Sequence, residues 1–122
     1  MAIHSGLCVA VAALIAVAAS SAAAAGLEGR YASSSTGNRT AVITLKDGVY
    51  KVLLTVKSRQ CTGELEAYGQ AKGGTVVAAV AAQDDPCKVT ISRRGRGIAV
   101  REQSCLNWHG AACDFNGDLA PR

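Results

Sequence analysis

The sequence predicts an all-β domain, an up-and-down antiparallel meander of about eight short strands that closes fully or partly into a small barrel. Three observations support this prediction. After residue 26, apolar and polar residues alternate in short runs. Turn sequences rich in glycine separate these runs every eight to twelve positions or so, a spacing typical of sandwiches and barrels. No stretch of useful length after residue 26 has the period of a helix.

The predicted strands follow the alternation in chain order. They cover residues 27–32, 40–46, 49–57, 62–71, 75–82, 87–93, 97–102 and 114–119. Apolar residues share one face of each strand, while threonine, lysine and arginine share the other, as in a sheet with one buried and one solvated side. The clearest inward sets are Ala41, Ile43 and Leu45; Val52, Leu54 and Val56; Val89 and Ile91; and Ile98 and Val100.

Glycine-containing turns connect several of these strands. Asp47-Gly48 is typical of a two-residue hairpin, in which both residues take a positive φ. Gly73-Gly74 and the segment 94–97 predict two further tight turns. A meander must hide its two edge strands. We therefore expect segments 27–31 and 115–119 to pair and close the barrel; an open or sandwich-like meander is the alternative.

The first 25 residues resemble a cleavable signal peptide. Residues 7–19 are apolar except for Cys8, and small residues follow up to Ala25, which is the predicted cleavage point. The apolar run is shorter than the roughly 20 residues that a transmembrane helix needs. The alternative is a buried N-terminal helix. The signal peptide predicts one exported domain, residues 26–122, that is periplasmic or secreted and has no transmembrane anchor.

Four cysteines remain after cleavage, namely Cys61, Cys87, Cys105 and Cys113. An even number of cysteines in a short exported chain predicts disulfides. A zinc site is disfavoured because the spacing contains no C-x-x-C pair. An up-and-down topology collects all four cysteines at one end of the barrel, opposite the glycine turns. Three pairings are open; loop length favours Cys105–Cys113, with Cys61–Cys87 joining neighbouring connections.

Two surfaces are candidate binding sites. The segment between Cys105 and Cys113 carries Asn107, Trp108 and His109, which would form a compact contact loop if a disulfide closed it. Alternatively, Trp108 folds back over the barrel end and His109 binds a loop carbonyl.

The second candidate surface is the hairpin that carries Arg93, Arg94 and Arg96. Its arginines could bind phosphate, sulfate or an acidic partner, or they could simply keep a turn soluble. The net charge of +4 lies entirely after residue 25 and is compatible with weak attraction to anionic envelope polymers. It does not predict nucleic-acid binding, because aromatic residues are few and no recognition motif is present.

No catalytic motif is present in the sequence. Glu64 and Glu66 share one strand face and could form a carboxylate pair with Glu102, but solvated outward side chains explain them better. We therefore predict a non-enzymatic protein without a metal or cofactor.

A wider pattern supports the fold and the export. It comprises Cys61-x-Gly63, Cys87, Val100-x-Glu102, Cys105, His109-Gly110, Cys113, Phe115 and Gly117. This pattern resembles small exported proteobacterial disulfide-stapled β domains. Some of those domains are grouped close to periplasmic lysozyme inhibitors. The resemblance runs from about residue 29 to residue 119 and is mainly structural.

Together these features predict an exported binding or inhibitor module of the bacterial envelope, with an envelope protein or a glycan polymer as its partner. A structural or stress-related envelope protein without a ligand site is the alternative. A third hypothesis is that the protein is similar to a lysozyme inhibitor.

Overall fold

The computed structural model describes residues 10–14, 26–33 and 38–122. Residues 10–14 are exposed and have no helix or strand. The rest of the predicted signal peptide, residues 1–25, lies outside the described residues, so that assignment stays a prediction. None of the helices in the described part of the chain is long and apolar enough to cross a membrane.

Within residues 26–33 and 38–122 the chain forms nine strands and one turn of 3₁₀ helix. The strands are β1 (Gly29–Ser33), β2 (Arg39–Lys46), β3 (Val49–Lys57), β4 (Thr62–Gly69), β5 (Ala71–Lys72), β6 (Thr75–Ala79), β7 (Lys88–Arg94), β8 (Gly97–Gln103) and β9 (Gly117–Pro121). The 3₁₀ turn, Leu106–Trp108, lies between β8 and β9. All strand pairings are antiparallel.

Eight of these strands close into a barrel, as predicted. The sheet runs in the order β4-β3-β2-β1-β9-β8-β7-β6-β5, and an additional pairing joins β4 to β6. The strands β1 and β9 lie side by side with Tyr31 opposite Pro121, so the two ends of the meander pair with each other. Because every barrel strand has two neighbours, the barrel has no free edge to attract another chain.

The predicted strand 62–71 is divided in two, and the division makes a corner of the barrel. The strand β4 pairs with β3 up to Gly69, after which β5 continues in the same register against β6 alone. At this corner the backbones approach closely: a Cβ at position 69 would lie 2.2 Å from the carbonyl oxygen of Val77. Glycine is the residue that permits this approach.

Two of the predicted tight turns have the expected backbone. Asp47 (φ 52°) and Gly48 (φ 79°) connect β2 to β3, and Gly73 (φ 60°) and Gly74 (φ 82°) connect β5 to β6. These turns and the one at Gly95 lie at the same end of the barrel, which we call the hairpin end. The opposite end, which holds the cysteines, is the cysteine end.

Inward-facing aliphatic side chains fill the barrel. The aliphatic residues with no exposed surface are Ala41, Val52, Ala78, Val89, Ile91, Ile98 and Val100. The middle of the barrel is therefore a packed core, as expected for a barrel of eight strands. Leu45, predicted to face inward, is instead 44% exposed, because it lies near the end of β2 beside the Asp47 turn.

The hairpin end is covered by the segment that precedes β1. Leu27 packs into the core, and the Tyr31 hydroxyl donates a hydrogen bond to the Leu27 carbonyl oxygen at 3.0 Å. The predicted strand 27–32 thus begins at Gly29, since its first residues cover the barrel instead of extending the sheet. The Arg93 guanidinium lies across the same opening and donates to the carbonyl oxygens of Gly26 and Gly97.

Candidate binding loop at the cysteine end

The loop from Cys105 to Cys113 connects β8 to β9 across the cysteine end. It begins after Ser104, whose positive φ of 60° turns the chain out of β8. The amide of Trp108 donates to the carbonyl oxygen of Cys105 at 2.9 Å and closes the 3₁₀ turn. His109 then forms an antiparallel bridge with Gly63 at the start of β4.

Two disulfides hold this loop, and their pairing corrects our prediction. Cys87 is bonded to Cys105, with Cα atoms 4.4 Å apart, and Cys61 is bonded to Cys113, with Cα atoms 5.9 Å apart. The favoured pairs Cys105–Cys113 and Cys61–Cys87 are wrong. Each end of the loop is instead fastened to a different neighbouring connection of the barrel.

The register of the β7–β8 hairpin explains the pairing. Lys88 at the start of β7 lies opposite Gln103 at the end of β8. The cysteines just beyond this pair, Cys87 and Cys105, therefore leave the hairpin side by side. The loop then crosses to β4, where the bridge between His109 and Gly63 brings Cys113 to Cys61.

Trp108 is half-buried and packs against the core. Its indole Nε1 donates to Oδ2 of Asp85 at 2.9 Å, while Oδ1 of the same carboxylate accepts a hydrogen bond from the amide of Cys87 at 2.9 Å. Asp85 thus ties the loop to the β6–β7 connection beside the disulfide. Only part of the Trp108 ring is available at the surface.

The His109 side chain lies inside the loop, with 2% of its surface exposed. Its Nε2 is 2.9 Å and 3.1 Å from the two carboxylate oxygens of Glu102, and its Nδ1 is 2.7 Å from the carbonyl oxygen of Gly110. The ring also makes an edge contact with Phe115, with ring centroids 5.2 Å apart. His109 therefore supports the loop from within.

The partners of His109 favour its charged form. A carbonyl oxygen and a carboxylate can only accept hydrogen bonds, so both ring nitrogens donate when both contacts are made. Burial by itself lowers the pKa of His109, but the Gly110 carbonyl, the Glu102 carboxylate and the nearby charge of Asp114 outweigh it and raise the pKa above its ordinary value. The result is a partly buried ion pair that joins the loop to β8.

The outer surface of the loop is formed by the 3₁₀ turn. Leu106 is 71% exposed, and Asn107 beside it is also exposed. Of the predicted contact residues, Asn107 is at the surface, Trp108 is partly so, and His109 is covered. Sequence reasoning missed Leu106 as part of this surface and missed Glu102 and Asp85 as its supports.

The predicted arginine surface lies at the hairpin end, so the structure separates the two candidate surfaces. Arg93 contacts backbone carbonyls at the barrel opening. Arg94 on the outer wall is 3.5 Å from a carboxylate oxygen of Asp118. Arg96 is exposed and has no side-chain hydrogen bond or ion pair within the part of the chain that the structure describes.

The three glutamates weighed as a carboxylate site do not meet. Glu64 and Glu66 face outward on β4, where Glu66 contacts Lys51 and Tyr68. Glu102 instead binds His109 at the cysteine end. Among residues 10–14, 26–33 and 38–122, no group of three or more His, Cys, Asp or Glu side chains is placed to hold a metal ion.

Comparisons with protein-family models, with curated proteins and with solved structures found no match. The resemblance to exported proteobacterial β domains therefore stays a prediction. What the structure defines is a class of architecture: a closed, filled, eight-stranded antiparallel barrel with two disulfides and a fixed loop over one end.

Proposed function

We propose that this protein is an exported, non-enzymatic binding module whose contact surface is the tip of the 105–113 loop and whose partner is an envelope protein. The supporting observation is the exposure of Leu106 and Asn107 on a loop that is fastened at many points. The two disulfides are consistent with an oxidising compartment such as the periplasm or the exterior.

The loop is fastened along almost its whole length. Disulfides hold Cys105 and Cys113, Asp85 holds Trp108, and Glu102 holds His109. A loop that is already ordered loses little conformational entropy when it binds, so more of its contact energy is available as affinity. The arrangement favours recognition by a rigid surface.

The tip offers a small amphipathic contact. Leu106 supplies an apolar side chain, and burying a leucine contributes about 1.5–3 kcal/mol. Asn107 adds amide donors and an acceptor that can fix the orientation of a partner. An apolar pocket rimmed by polar groups on a protein is the complementary surface.

The experiment is capture from envelope extract with the purified, oxidised protein as bait. Basic lysozymes are added to the extract, so that the inhibitor-like reading is tested in the same experiment. The loop variant is Leu106→Ala with Asn107→Ala, which changes exposed side chains only. The matched control is Leu45→Ala, which removes an exposed leucine at the hairpin end.

We expect wild type and Leu45→Ala to retain the same partner and the loop variant to retain at least tenfold less of it. Direct titration of that purified partner against the three proteins then measures the difference in affinity. Equal retention by the loop variant would refute the proposed contact surface.

A second candidate function is a structural envelope protein without a ligand site. It is favoured by the inward orientation of Trp108, which packs against the core, and of His109, whose side chain lies inside the loop. Capture of no specific partner by the wild type, with lysozymes present, would favour this alternative.

A further inference from the structure

A groove opens on the outer wall at the hairpin end, far along the barrel from the 105–113 loop. It has a volume of about 580 Å³, and its lining includes Arg94, Arg96, Ile98, Asp118, Leu119 and Pro121. This volume lies within the range of small-molecule sites, about 300–1,000 Å³. No part of the proposed binding loop contributes to the groove.

The strand pairing explains why the wall is open here. The strand β9 pairs with β8 only from Gly117 to Leu119, whereas its last residues continue along β1 on the other side. Gly97 still approaches Leu119 and Ala120 closely, and the hairpin residues before it have no pairing partner in β9. Pro121 ends the pairing on this side because its nitrogen cannot donate a hydrogen bond to a neighbouring strand.

The charges at the groove are predominantly positive and only loosely paired. Asp118 is the carboxylate that lines it, and this side chain is shared between Arg94, at 3.5 Å, and Arg101, at 3.6 Å. All three side chains are at least half exposed, and exposed ion pairs of this kind contribute little to stability. Arg96 is left with no side-chain partner among the described residues.

We propose that this groove binds a phosphomonoester carried on a sugar-sized group. Arg94 and Arg96 line the groove, and Arg101 beside it shares Asp118 with Arg94, so three guanidinium groups face one carboxylate and leave two positive charges in excess. A phosphomonoester, with a charge of about −1.5 to −2 at neutral pH, complements this excess. Planar guanidinium groups bind phosphate oxygens in pairs.

The rest of the groove suits an uncharged body attached to the phosphate. Ala120 and Pro121, which are both exposed, give its lining an apolar part, against which the face of a sugar ring can pack. A bare phosphate would leave most of the volume unfilled. The proposal is independent of the loop function, since the two surfaces lie at opposite ends of the barrel.

The test is an NMR titration of the isotope-labelled, oxidised protein at physiological salt with glucose 6-phosphate, glucose and inorganic phosphate as probes. We expect glucose 6-phosphate to shift the amide signals of residues 94–97 and 118–120. Inorganic phosphate should bind at least fivefold more weakly, and glucose should cause no shifts. Equal binding of inorganic phosphate, or shifts spread over the whole surface, would overturn the proposal.

Charge-matched variants distinguish binding at this groove from general electrostatic attraction of the phosphate to a positively charged protein. Arg94→Gln with Arg96→Gln should weaken glucose 6-phosphate binding at least tenfold, because the two guanidinium groups that line the groove are lost. Lys57→Gln with Arg59→Gln removes the same charge from exposed residues at the cysteine end and should change binding less than twofold. Similar weakening in both variants, or unchanged binding in the first, would overturn the proposal.

Asp118→Asn gives a test in the opposite direction. Removing its charge frees Arg94 and Arg101, so glucose 6-phosphate should bind two- to fivefold more tightly. The control Asp84→Asn removes an exposed carboxylate at the cysteine end and should leave the affinity unchanged. Weaker binding by Asp118→Asn would contradict the role given to this pair.

Discussion

Replacing Cys61 and Cys113 together by alanine should lower the free energy of unfolding by about 4 kcal/mol. The bond spans 52 residues, and the chain-entropy model gives a loss of about this size for a loop of that length. Urea denaturation of the oxidised proteins measures the difference. The shorter Cys87–Cys105 loop, of 18 residues, gives about 3 kcal/mol on the same basis.

The single variants provide the control, because they depend on which cysteines are paired. If Cys61 is bonded to Cys113, either substitution alone breaks the bond, and the second adds little. If the two cysteines belonged to different disulfides, their effects would add. Additive losses from Cys61→Ala and Cys113→Ala would therefore contradict the pairing in the structure.

His109→Ala should lower the free energy of unfolding by about 2 kcal/mol, because it removes the hydrogen-bonded ion pair with Glu102. Hydrogen bonds to charged groups contribute about 1.5–3 kcal/mol. The lower part of this range applies here, since the Glu102 side chain is 12% exposed and keeps some access to water. The loss of the ring contact with Phe115 contributes to the same effect. Urea denaturation near pH 6 measures it.

The same ion pair should make stability depend on pH. The pKa of His109 is raised in the folded protein, so its contribution is fully present below the unfolded value of about 6.5. It is lost as the pH rises through the folded value. His109→Gln keeps hydrogen-bonding groups but does not titrate. The stability difference between wild type and this variant should shrink as the pH rises above about 6.5; a constant difference would contradict the ion pair.

The sequence was sufficient to predict the barrel because its signals are local and repeated. Alternation along each strand is set by the chain itself, and Asp47-Gly48 and Gly73-Gly74 define two hairpins with the expected backbone. The closing pair, β1 with β9, followed from the need of a meander to hide its edges. The corner at Gly69 was missed because it depends on the close approach of Val77 from another strand.

The disulfide pairing could have been predicted from the same sequence by a different argument. Loop length favoured joining Cys105 to Cys113, but the tight turn after Arg94 fixes the register of the β7–β8 hairpin. Counting back from that turn places Cys87 opposite Ser104, next to Cys105, which leaves Cys61 for Cys113. Register was a stronger constraint than proximity along the chain.

The candidate site was the least predictable part. The sequence located the loop and named Asn107, but it could not show whether Trp108 and His109 point outward. Their orientation depends on Asp85 and Glu102, which lie on other connections of the barrel. The exposure of Leu106 follows from the 3₁₀ turn, since turning Trp108 inward leaves Leu106 at the surface.

The proposed contact surface depends most on a loop whose two ends are bonded to different parts of the barrel, and peptide mapping without reduction tests this directly. Trypsin cleavage places Cys61, Cys87 and the two remaining cysteines on three peptides, and further cleavage after Leu106 or Trp108 separates Cys105 from Cys113. We predict that the Cys61 peptide is joined to the Cys113 peptide and the Cys87 peptide to the Cys105 peptide. A Cys61 peptide joined to the Cys87 peptide, with Cys105 joined to Cys113, would contradict the account.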